Sequence, residues 1–246
     1  MDHSIYLAMN GAAQTLRAQA ENNANLANAS TTGFKAELAA FKSVPVLGTG
    51  LATRVNAVES GNGFDASTGP QITTGRELDV AVQGQGWIAV QSPDGSEGYT
   101  RAGALQLTPE GLLTTAAGQP VLGDGGPISV PPHSSLKIGA DGTVSVVPLG
   151  QPASAVASIG RIKLVNPAPA DLSLGADGLM HLAGGATAPG DATVHLAAGV
   201  LEGSNVNPAE ALVRMIALSR QFEMQVRGIK TADQNAQAAT QLLSLN

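Results

Sequence analysis

The first thirty residues repeat small and apolar side chains at alternating spacings of four and three. This N-terminal stripe consists of Ile5, Met9, Ala12, Leu16, Gln19, Asn23 and Leu26. A seven-residue repeat of this kind predicts a helix that lays one stripe against a partner helix. Because three of its seven positions are Ala, Gln and Asn, the stripe buries little apolar surface. We therefore expect the helix to be marginal on a single partner and to become ordered among several.

A second, longer helix is predicted near the C-terminus, and its start is well marked. Asn207 is a good N-cap, Pro208 suits the first helical position, and Glu210 suits the first turn. Its stripe consists of Leu212, Met215, Ser219, Phe222, Val226, Ile229, Asp233, Ala236, Thr240 and Leu243. A helix of this length with a 3.5-residue period needs a partner helix. Gly228 lowers helix propensity by about 1 kcal/mol relative to Ala, which we interpret as a sign of close helix approach.

Between the helices the pattern changes to short alternating runs, which is typical of β-strands. The runs are Leu78–Val82, Trp87–Gln91, Ser129–Val130, Val144–Val147 and Arg161–Val165. Turns are indicated between them by four Asp-Gly pairs, at 94–95, 124–125, 141–142 and 177–178. This alternation of short strands and tight turns predicts an antiparallel β domain, which we expect to form a distorted barrel.

The predicted fold class is therefore α+β, with a β domain inserted between two halves of a helical module. Residues 1–42 and 200–246 form the terminal helical module, in which the two helices pair like a coiled coil. Residues 43–75 are rich in Gly and Pro and are expected to be an extended connector. Residues 76–199 form the central β-rich domain.

Composition and charge add a division between the ends and the middle. The chain has 246 residues, of which 43% are hydrophobic, 13% charged and only 3% aromatic, with a net charge of −6. Each end is neutral, so the middle carries the whole excess, with six basic and twelve acidic residues. This balance argues against nucleic acid as a partner. The neutral ends are the parts that electrostatic repulsion leaves able to associate.

The sequence offers little catalytic chemistry. There is no Cys, the four His are scattered, and Gly84-Gln85-Gly86 precedes a strand instead of the helix that a dinucleotide site requires. A glycosidase pair could be assembled only from Asp79 and Glu97, in a chain that is poor in aromatic stacking platforms. We expect no enzyme, no catalytic residues, no cofactor and no metal. The longest uncharged run is broken by Pro148, so no membrane insertion is expected.

Asn residues are unusually dense near the end of the first predicted helix. Asn22, Asn23, Asn25 and Asn28 fall within seven residues, although Asn is a poor helix former. Each amide offers both a donor and an acceptor. We interpret the run as a helix end that is contacted from several sides in an assembly.

Three long motifs resemble those of bacterial flagellar axial proteins, the rod and hook family. Residues 22–35 read NNANLANASTTGFK and are similar to the N-terminal signature of that family. Residues 201–207 and 219–223, LEGSNVN and SRQFE, are similar to its C-terminal signature. Residues 78–87 and 99–103, LDVAVQGQGW and YTRAG, resemble the β domain that these proteins share. The resemblance runs from one end of the chain to the other, and short segments such as Ile5–Met9 are most similar to the proximal-rod members.

The resemblance implies a structural subunit of the flagellar basal-body rod, polymerising in the periplasm into the drive shaft that carries torque from motor to hook. The implied partners are copies of the chain, neighbouring proximal-rod and distal-rod subunits, and the flagellar type III export apparatus, which secretes such subunits without a cleaved signal peptide. The assembly-interface residues that we expect are Ile5, Met9, Leu16, Asn22, Asn23, Asn25, Leu26, Asn28, Leu212, Met215, Phe222, Val226, Ile229 and Leu243. Phe34 and Leu38 resemble the short element by which export substrates are recognised.

Two alternatives stay open at this point. The first is a distal-rod protein of the same family. The second belongs to a different class, a secreted β-domain binding module that dimerises through its terminal helices.

Overall fold

The computed structural model describes residues 4–45 and 55–244 of the chain. Helix α1 spans Ser4–Ala27 and helix α2 spans Pro208–Ser244. The predicted start of α2 is confirmed, because the Asn207 side-chain oxygen accepts hydrogen bonds from the backbone N–H groups of Ala209 and Glu210 at 3.0 and 3.4 Å. Over the described residues, neither helix is apolar for long enough to cross a membrane.

An antiparallel hairpin follows α1 and occupies much of the stretch expected to be a bare connector. Strand β1 spans Glu37–Pro45 and pairs with β2, Val55–Phe64. The sequence concealed β2 because Ser60, Gly61, Asn62 and Gly63 interrupt its apolar alternation. The strand is defined by its antiparallel backbone pairing with β1.

The central part of the chain consists of short strands with two 3₁₀ turns at Pro169–Asp171 and Ala183–Gly185. The strands are β3 (Gln71–Thr73), β4 (Val80–Gln83), β5 (Trp87–Gln91), β6 (Glu97–Thr100), β7 (Leu105–Leu107), β8 (Leu113–Thr115), β9 (Leu122–Gly123), β10 (Gly126–Pro127), β11 (His133–Ile138), β12 (Thr143–Pro148), β13 (Ala157–Arg161), β14 (Leu164–Val165), β15 (Leu172–Leu174), β16 (Met180–Leu182), β17 (His195–Ala198) and β18 (Val200–Glu202).

These strands form several small antiparallel sheets around one apolar core. The largest has the order β14-β5-β6-β16-β15, and a second has the order β11-β12-β13. Ile88, Val90, Leu105, Leu113 and Val144 are among the core side chains with no exposed surface. The predicted α+β class is confirmed, but the expected barrel is wrong, because the sheets of the described residues do not close on themselves. The strands are too short, at two to six residues, to wrap into a continuous wall.

The Asp-Gly turns behave largely as predicted. Gly95, Gly142 and Gly178 adopt φ values of 87°, 84° and 76°, a left-handed conformation that glycine adopts without steric cost. The preceding aspartates fix the turns, and the Asp141 carboxylate accepts hydrogen bonds from the backbone N–H and hydroxyl of Thr143. These hydrogen bonds hold the pKa of Asp141 below its ordinary value.

The Ala- and Gly-rich stretch between residues 166 and 198 is anchored by one buried tyrosine. The Tyr99 hydroxyl accepts a hydrogen bond of 2.7 Å from the Ala188 backbone N–H, although no strand lies at Ala188. Burial raises the pKa of Tyr99 to about 12. The phenol therefore stays protonated and serves as a fixed anchor for this stretch.

The chain divides into two compact units. The helical unit contains the described parts of residues 1–29, 36–64 and 206–246. The β unit contains Ser30–Lys35 and Asp65–Asn205. Each unit is therefore assembled from segments that are far apart in sequence.

In the helical unit, α1 and α2 pack together through small side chains. The buried positions of α1 are Ala12, Thr15, Ala18, Asn22 and Asn25. On α2, Ala211 and Ala232 are buried, and Met215, Phe222 and Ile229 are half-buried. The two helices thus pack together, while their coiled-coil character stays a prediction. The buried face of α1 is rotated away from Met9 and Leu16 toward alanine and threonine. Small side chains permit close backbone approach, which an apolarity count does not reveal.

Gly228 does not mark the close approach that its position suggested. A Cβ added there would meet only the Ala8 Cβ, at 4.0 Å, which is an ordinary van der Waals contact. We therefore predict that Gly228→Ala stabilises the helical unit by up to about 1 kcal/mol, because it removes the helix cost of glycine without a clash. Thermal unfolding followed by circular dichroism measures this change. Ala217→Gly, at an exposed position of the same helix, should produce a loss of similar size, and a lower midpoint for Gly228→Ala would contradict the packing seen here.

Candidate assembly surfaces and a buried charged cluster

The apolar residues predicted for the α1 interface lie mostly at the surface of this single chain. Met9 is 53% exposed and Leu16 is 50% exposed, whereas Ile5 and Leu26 are half-buried. Burying half-exposed apolar side chains against another chain is favourable, because it removes apolar surface from water. The structure leaves these positions available to a neighbour.

The four Asn of the α1 end have separate roles within the chain. The Asn22 amide donates to the Ala211 carbonyl of α2 at 2.8 Å. Asn25 donates to the Glu37 carbonyl at 2.9 Å and accepts from the Glu37 N–H at 2.8 Å, which fixes the start of β1. Asn28 donates to the Ala24 carbonyl at 2.9 Å, and Asn23 is exposed. Three of the four amides therefore hold the subunit together.

The predicted residues of α2 divide in the same way. Leu212 is 50% exposed, while Met215, Phe222, Val226 and Ile229 are half-buried. Val213, Ile216 and Met224, which the predicted stripe omits, are more than half exposed. Leu243 lies outside the residues whose side chains the structure describes.

The two candidate export residues lie in different settings. Phe34 is half-buried in the β unit, and Leu38 is 44% exposed on β1 of the helical unit.

Glu202, at the end of β18, is the centre of a buried charged cluster in the β unit. Its Oε1 accepts hydrogen bonds from Lys35 Nζ at 2.7 Å and from the Gly69 N–H at 3.0 Å. Its Oε2 accepts one from Arg101 Nη1 at 2.8 Å. The side chains of Lys35, Arg101 and Glu202 are each at most 3% exposed. We call Lys35, Gly69, Arg101 and Glu202 the junction cluster.

Further hydrogen bonds surround both cations, although the buried Arg101 Nε has no hydrogen-bond partner among the described residues. Lys35 Nζ also donates to the Ser67 carbonyl at 2.6 Å. Arg101 Nη2 donates to the Gly84 carbonyl at 2.7 Å, and the guanidinium lies 5.5 Å from the centroid of the Trp87 ring. Buried charges are tolerated when they are paired and hydrogen-bonded in this way, and removing the Glu202 carboxylate that both cations share should cost about 3–5 kcal/mol.

Residues 30–35 form a strap that is bonded to residues 202–205, near the end of the β unit in sequence. The Gly33 N–H donates to the Glu202 carbonyl at 2.8 Å, and the Asn205 N–H donates to the Phe34 carbonyl at 3.4 Å. Gly33 has φ 72°, and a Cβ there would lie 2.2 Å from backbone atoms of Arg101 and Ala102. Glycine is therefore required for this close approach. A glycine after two β-branched residues, as in Thr31-Thr32-Gly33, is also typical of a helix C-cap, but α1 stops at Ala27 and Gly33 serves the strap instead.

Segments that contribute to the junction cluster, or bond to it, adjoin in sequence the passages of the chain into and out of the β unit. These passages follow residues 29, 35, 64 and 205. The strap covers the first two, the segment from Asp65 to Gly69 follows the third, and Glu202 to Asn205 precede the fourth. Asn205 also donates to the Asp65 carbonyl at 2.9 Å, so hydrogen bonds join all three segments.

The cluster changes the proton affinity of its members in a definite direction. Burial alone would raise the pKa of Glu202, but the Lys35 hydrogen bond, the Arg101 charge and the Gly69 N–H together hold it below its ordinary value. Burial lowers the pKa of Lys35, and the hydrogen bond and charge of Glu202 offset this only in part.

The carboxylates considered for catalysis are tied into structure. Asp79 pairs with Arg76 at 3.0 Å and accepts a hydrogen bond from the Thr74 hydroxyl at 2.7 Å. Both oxygens of Glu97 accept hydrogen bonds of 2.8 Å from Lys163. Among the described residues, no three His, Asp or Glu side chains come together as a metal site.

The chain is similar to known proteins over its whole length. Residues 81–146 match the model of the flagellar hook protein FlgE/F/G D1 domain, and residues 197–242 match that of the flagellar basal body rod FlgEFG protein C-terminal region. The flagellar basal-body rod proteins FlgF of Escherichia coli K12 and Salmonella typhimurium LT2 are each 48% identical to this chain over 252 aligned residues, with both chains covered completely. The chain belongs to the flagellar basal-body rod protein family. FlgG of Bacillus subtilis 168 is 31% identical over 89% of this chain and 90% of its own length.

Sequence analysis missed the junction cluster, although a signal for it existed. Lys35, Arg101 and Glu202 each lie inside one of the three motifs that carry the resemblance to rod and hook proteins. Each is the lone charged residue of its own segment, at residues 22–35, 99–103 and 201–207 respectively. Charged residues isolated in this way are candidates for burial as partners.

We predict that Gly33→Ala destabilises the β unit much more than Gly118→Ala. Gly118 also has positive φ, at 85°, but no atom lies within 4 Å of an added Cβ. Gly118→Ala should therefore cost only the backbone strain, about 1 kcal/mol, whereas Gly33→Ala adds a clash with backbone atoms. Chemical unfolding of both variants measures the difference, and equal losses would show that the strap is not held as described.

The carboxyl of Glu202 should titrate at a pH below 4.5, its ordinary value. Because the pKa is lowered in the folded state, the stabilisation from Glu202 is complete above pH 4.5 and is lost as the pH falls through the folded pKa. Carbon-detected NMR of glutamate-labelled protein measures the midpoint directly, with Glu202→Gln identifying the resonance. A midpoint above 4.5 would contradict the geometry of the cluster.

Proposed function

We propose that this chain is a proximal-rod subunit of the flagellar basal body that assembles through α1 and α2. Membership of the rod family makes it a structural rod subunit located in the flagellar basal body. The finer proposal rests on 48% identity to FlgF proteins over the full chain, compared with 36% for the FlgG of Buchnera aphidicola from Schizaphis graminum. A distal-rod position is the second candidate, because FlgG relatives also align over most of the chain.

The observation that carries the proposal is the division of each helix into two faces. The face that packs within the subunit uses small side chains, such as Ala12, Ala18 and Ala211. Larger apolar side chains, Leu16, Leu212 and Ile216 among them, are left half in water or more. The small side chains are buried within the chain and the large apolar ones are exposed. This arrangement allows the large side chains to be buried against other copies or related subunits. Coiled-coil contacts among neighbouring subunits would do this.

The candidate assembly surface comprises Ile5, Met9, Leu16, Asn23, Leu26, Leu212, Met215, Phe222, Val226, Ile229 and Leu243. Asn22, Asn25 and Asn28 join it as residues that shape the α1 end. Exposed side chains are the ones expected to touch neighbours directly, and half-buried ones are expected to bridge the internal and external contacts. The proposal includes neighbouring proximal-rod and distal-rod subunits and further copies of this chain as partners.

Two remaining parts of the proposal concern chemistry and transport. We propose that the chain has no enzymatic activity, since Asp79 and Glu97 are engaged in ion pairs within the β unit. We also propose recognition by the flagellar type III export apparatus through Phe34 and Leu38, without a cleaved signal peptide. The exposed position of Leu38 on β1 is compatible with that role, and the half-buried position of Phe34 requires export before folding.

Leu212→Asp is expected to abolish motility while leaving the purified subunit folded. Leu212 is 50% exposed, so the charge meets water in the single chain, but it would be buried without a partner in an assembled helix layer. Val156→Asp is the matched control, because Val156 is 63% exposed in the β unit and lies outside the candidate surface. Swimming assays should be combined with measurement of exported protein and thermal unfolding.

Loss of swimming in Leu212→Asp with normal export and stability, and normal swimming in Val156→Asp, supports assembly through the helices. Normal swimming of Leu212→Asp cells would place the assembly surface elsewhere. Equal loss in both variants would favour a β-domain binding module over assembly through the helices.

A further inference from the structure

The strap of residues 30–35 makes polar contacts with the β unit, and although Phe34 is half-buried, none of its side chains belongs to the apolar core. The core consists of side chains between Leu78 and Leu196, and none comes from residues 30–35. The strap is retained by the Lys35 ammonium and by backbone hydrogen bonds of Gly33 and Phe34. Removing it would therefore leave the hydrophobic contacts of the core intact.

Charge balance points in the same direction. Arg101 and Glu202 are a matched pair of one cation and one anion, joined at 2.8 Å and contributed by the body of the β unit. Lys35 brings a second cation to the same carboxylate, and the half-buried Asp65 is a further anion that acts on it. The pair is complete without Lys35, whereas Lys35 enters the cluster against the repulsion of Arg101.

We propose that the strap is a separate two-state element, which docks onto an already folded β unit and can leave it without unfolding the core. In the docked state, Lys35 binds Glu202 and the Ser67 carbonyl. In the undocked state, the Arg101–Glu202 pair persists and residues 30–35 are solvated. This inference goes beyond assembly of the rod and does not depend on it.

The device acts at a significant place in the chain. Docking closes the one point at which the strap, the segment from Asp65 to Gly69 and the end of β18 meet. Because polar contacts in a partly charged site are worth far less than an apolar core, opening of the strap should require less free energy than global unfolding. When the strap is docked, it holds the segment from Asp65 to Gly69 and the end of β18 together; when it is undocked, it does not.

Hydrogen exchange of the full-length purified chain, resolved by NMR, tests the proposal. The Gly33 N–H reports on the strap through its bond to the Glu202 carbonyl, and the Ala89 N–H, bonded to the Lys163 carbonyl at 3.0 Å, reports on the core. We expect Gly33 to exchange at least about tenfold faster than Ala89 and with a smaller dependence on denaturant.

Lys35→Met removes the ammonium and keeps a side chain of similar length. It should speed exchange at Gly33 by a further factor of about ten or more, while exchange at Ala89 and the thermal midpoint of the β unit stay close to wild type. Lys137→Met, at an exposed position of β11, is the matched control and should change neither amide.

Three results would overturn the proposal. Equal rates and equal denaturant dependence at Gly33 and Ala89 would make the strap part of the global unfolding unit. Unchanged Gly33 exchange in Lys35→Met would show that Lys35 does not hold the strap. Failure of Lys35→Met to fold would show that the core depends on the strap.

Discussion

The buried carboxylate of Glu202 is the interaction on which the organisation of this chain depends. An anion at this depth is tolerable because Arg101 and the Gly69 N–H point at it from the body of the β unit, and the docked strap adds Lys35. Those groups come from segments separated by up to 167 positions in the sequence. One carboxylate therefore joins the strap, the β unit and the segment that leads to α2. The contacts of Glu202 therefore lie beside the positions at which the chain enters and leaves the β unit.

The helical unit follows a different physical rule. Its internal packing relies on small side chains and on amide hydrogen bonds, such as the one from Asn22 to the Ala211 carbonyl. This arrangement keeps the larger apolar residues of both helices at the surface. We propose that the subunit retains this apolar surface for contact with its neighbours. The contrast with the β unit, which has a closed apolar core, matches a structural subunit of an assembly.

Local features of the fold could be predicted because they depend on adjacent residues. The Asn207 cap, the Pro208 start of α2 and the turns at Gly95, Gly142 and Gly178 were all apparent from short patterns. The register of the α1 contact was not, since alanine and threonine at a close helix crossing look less apolar than Met9 and Leu16. The junction cluster escaped for a deeper reason. Nothing local indicates which of nineteen carboxylates will meet a given lysine after folding. Similarly, Gly33 had the signature of a helix end and serves a close backbone approach.

We propose that the faces of α1 and α2 that are exposed in the single chain are the ones that contact neighbouring subunits. A photo-crosslinking amino acid at Leu212, compared with the same group at Val156, tests it in assembled basal bodies. We expect a crosslinked product at Leu212 that contains this chain joined to another rod subunit or to a second copy. The purified monomer should give no such product. Assembled basal bodies that contain the Leu212 variant and give no such product would contradict it.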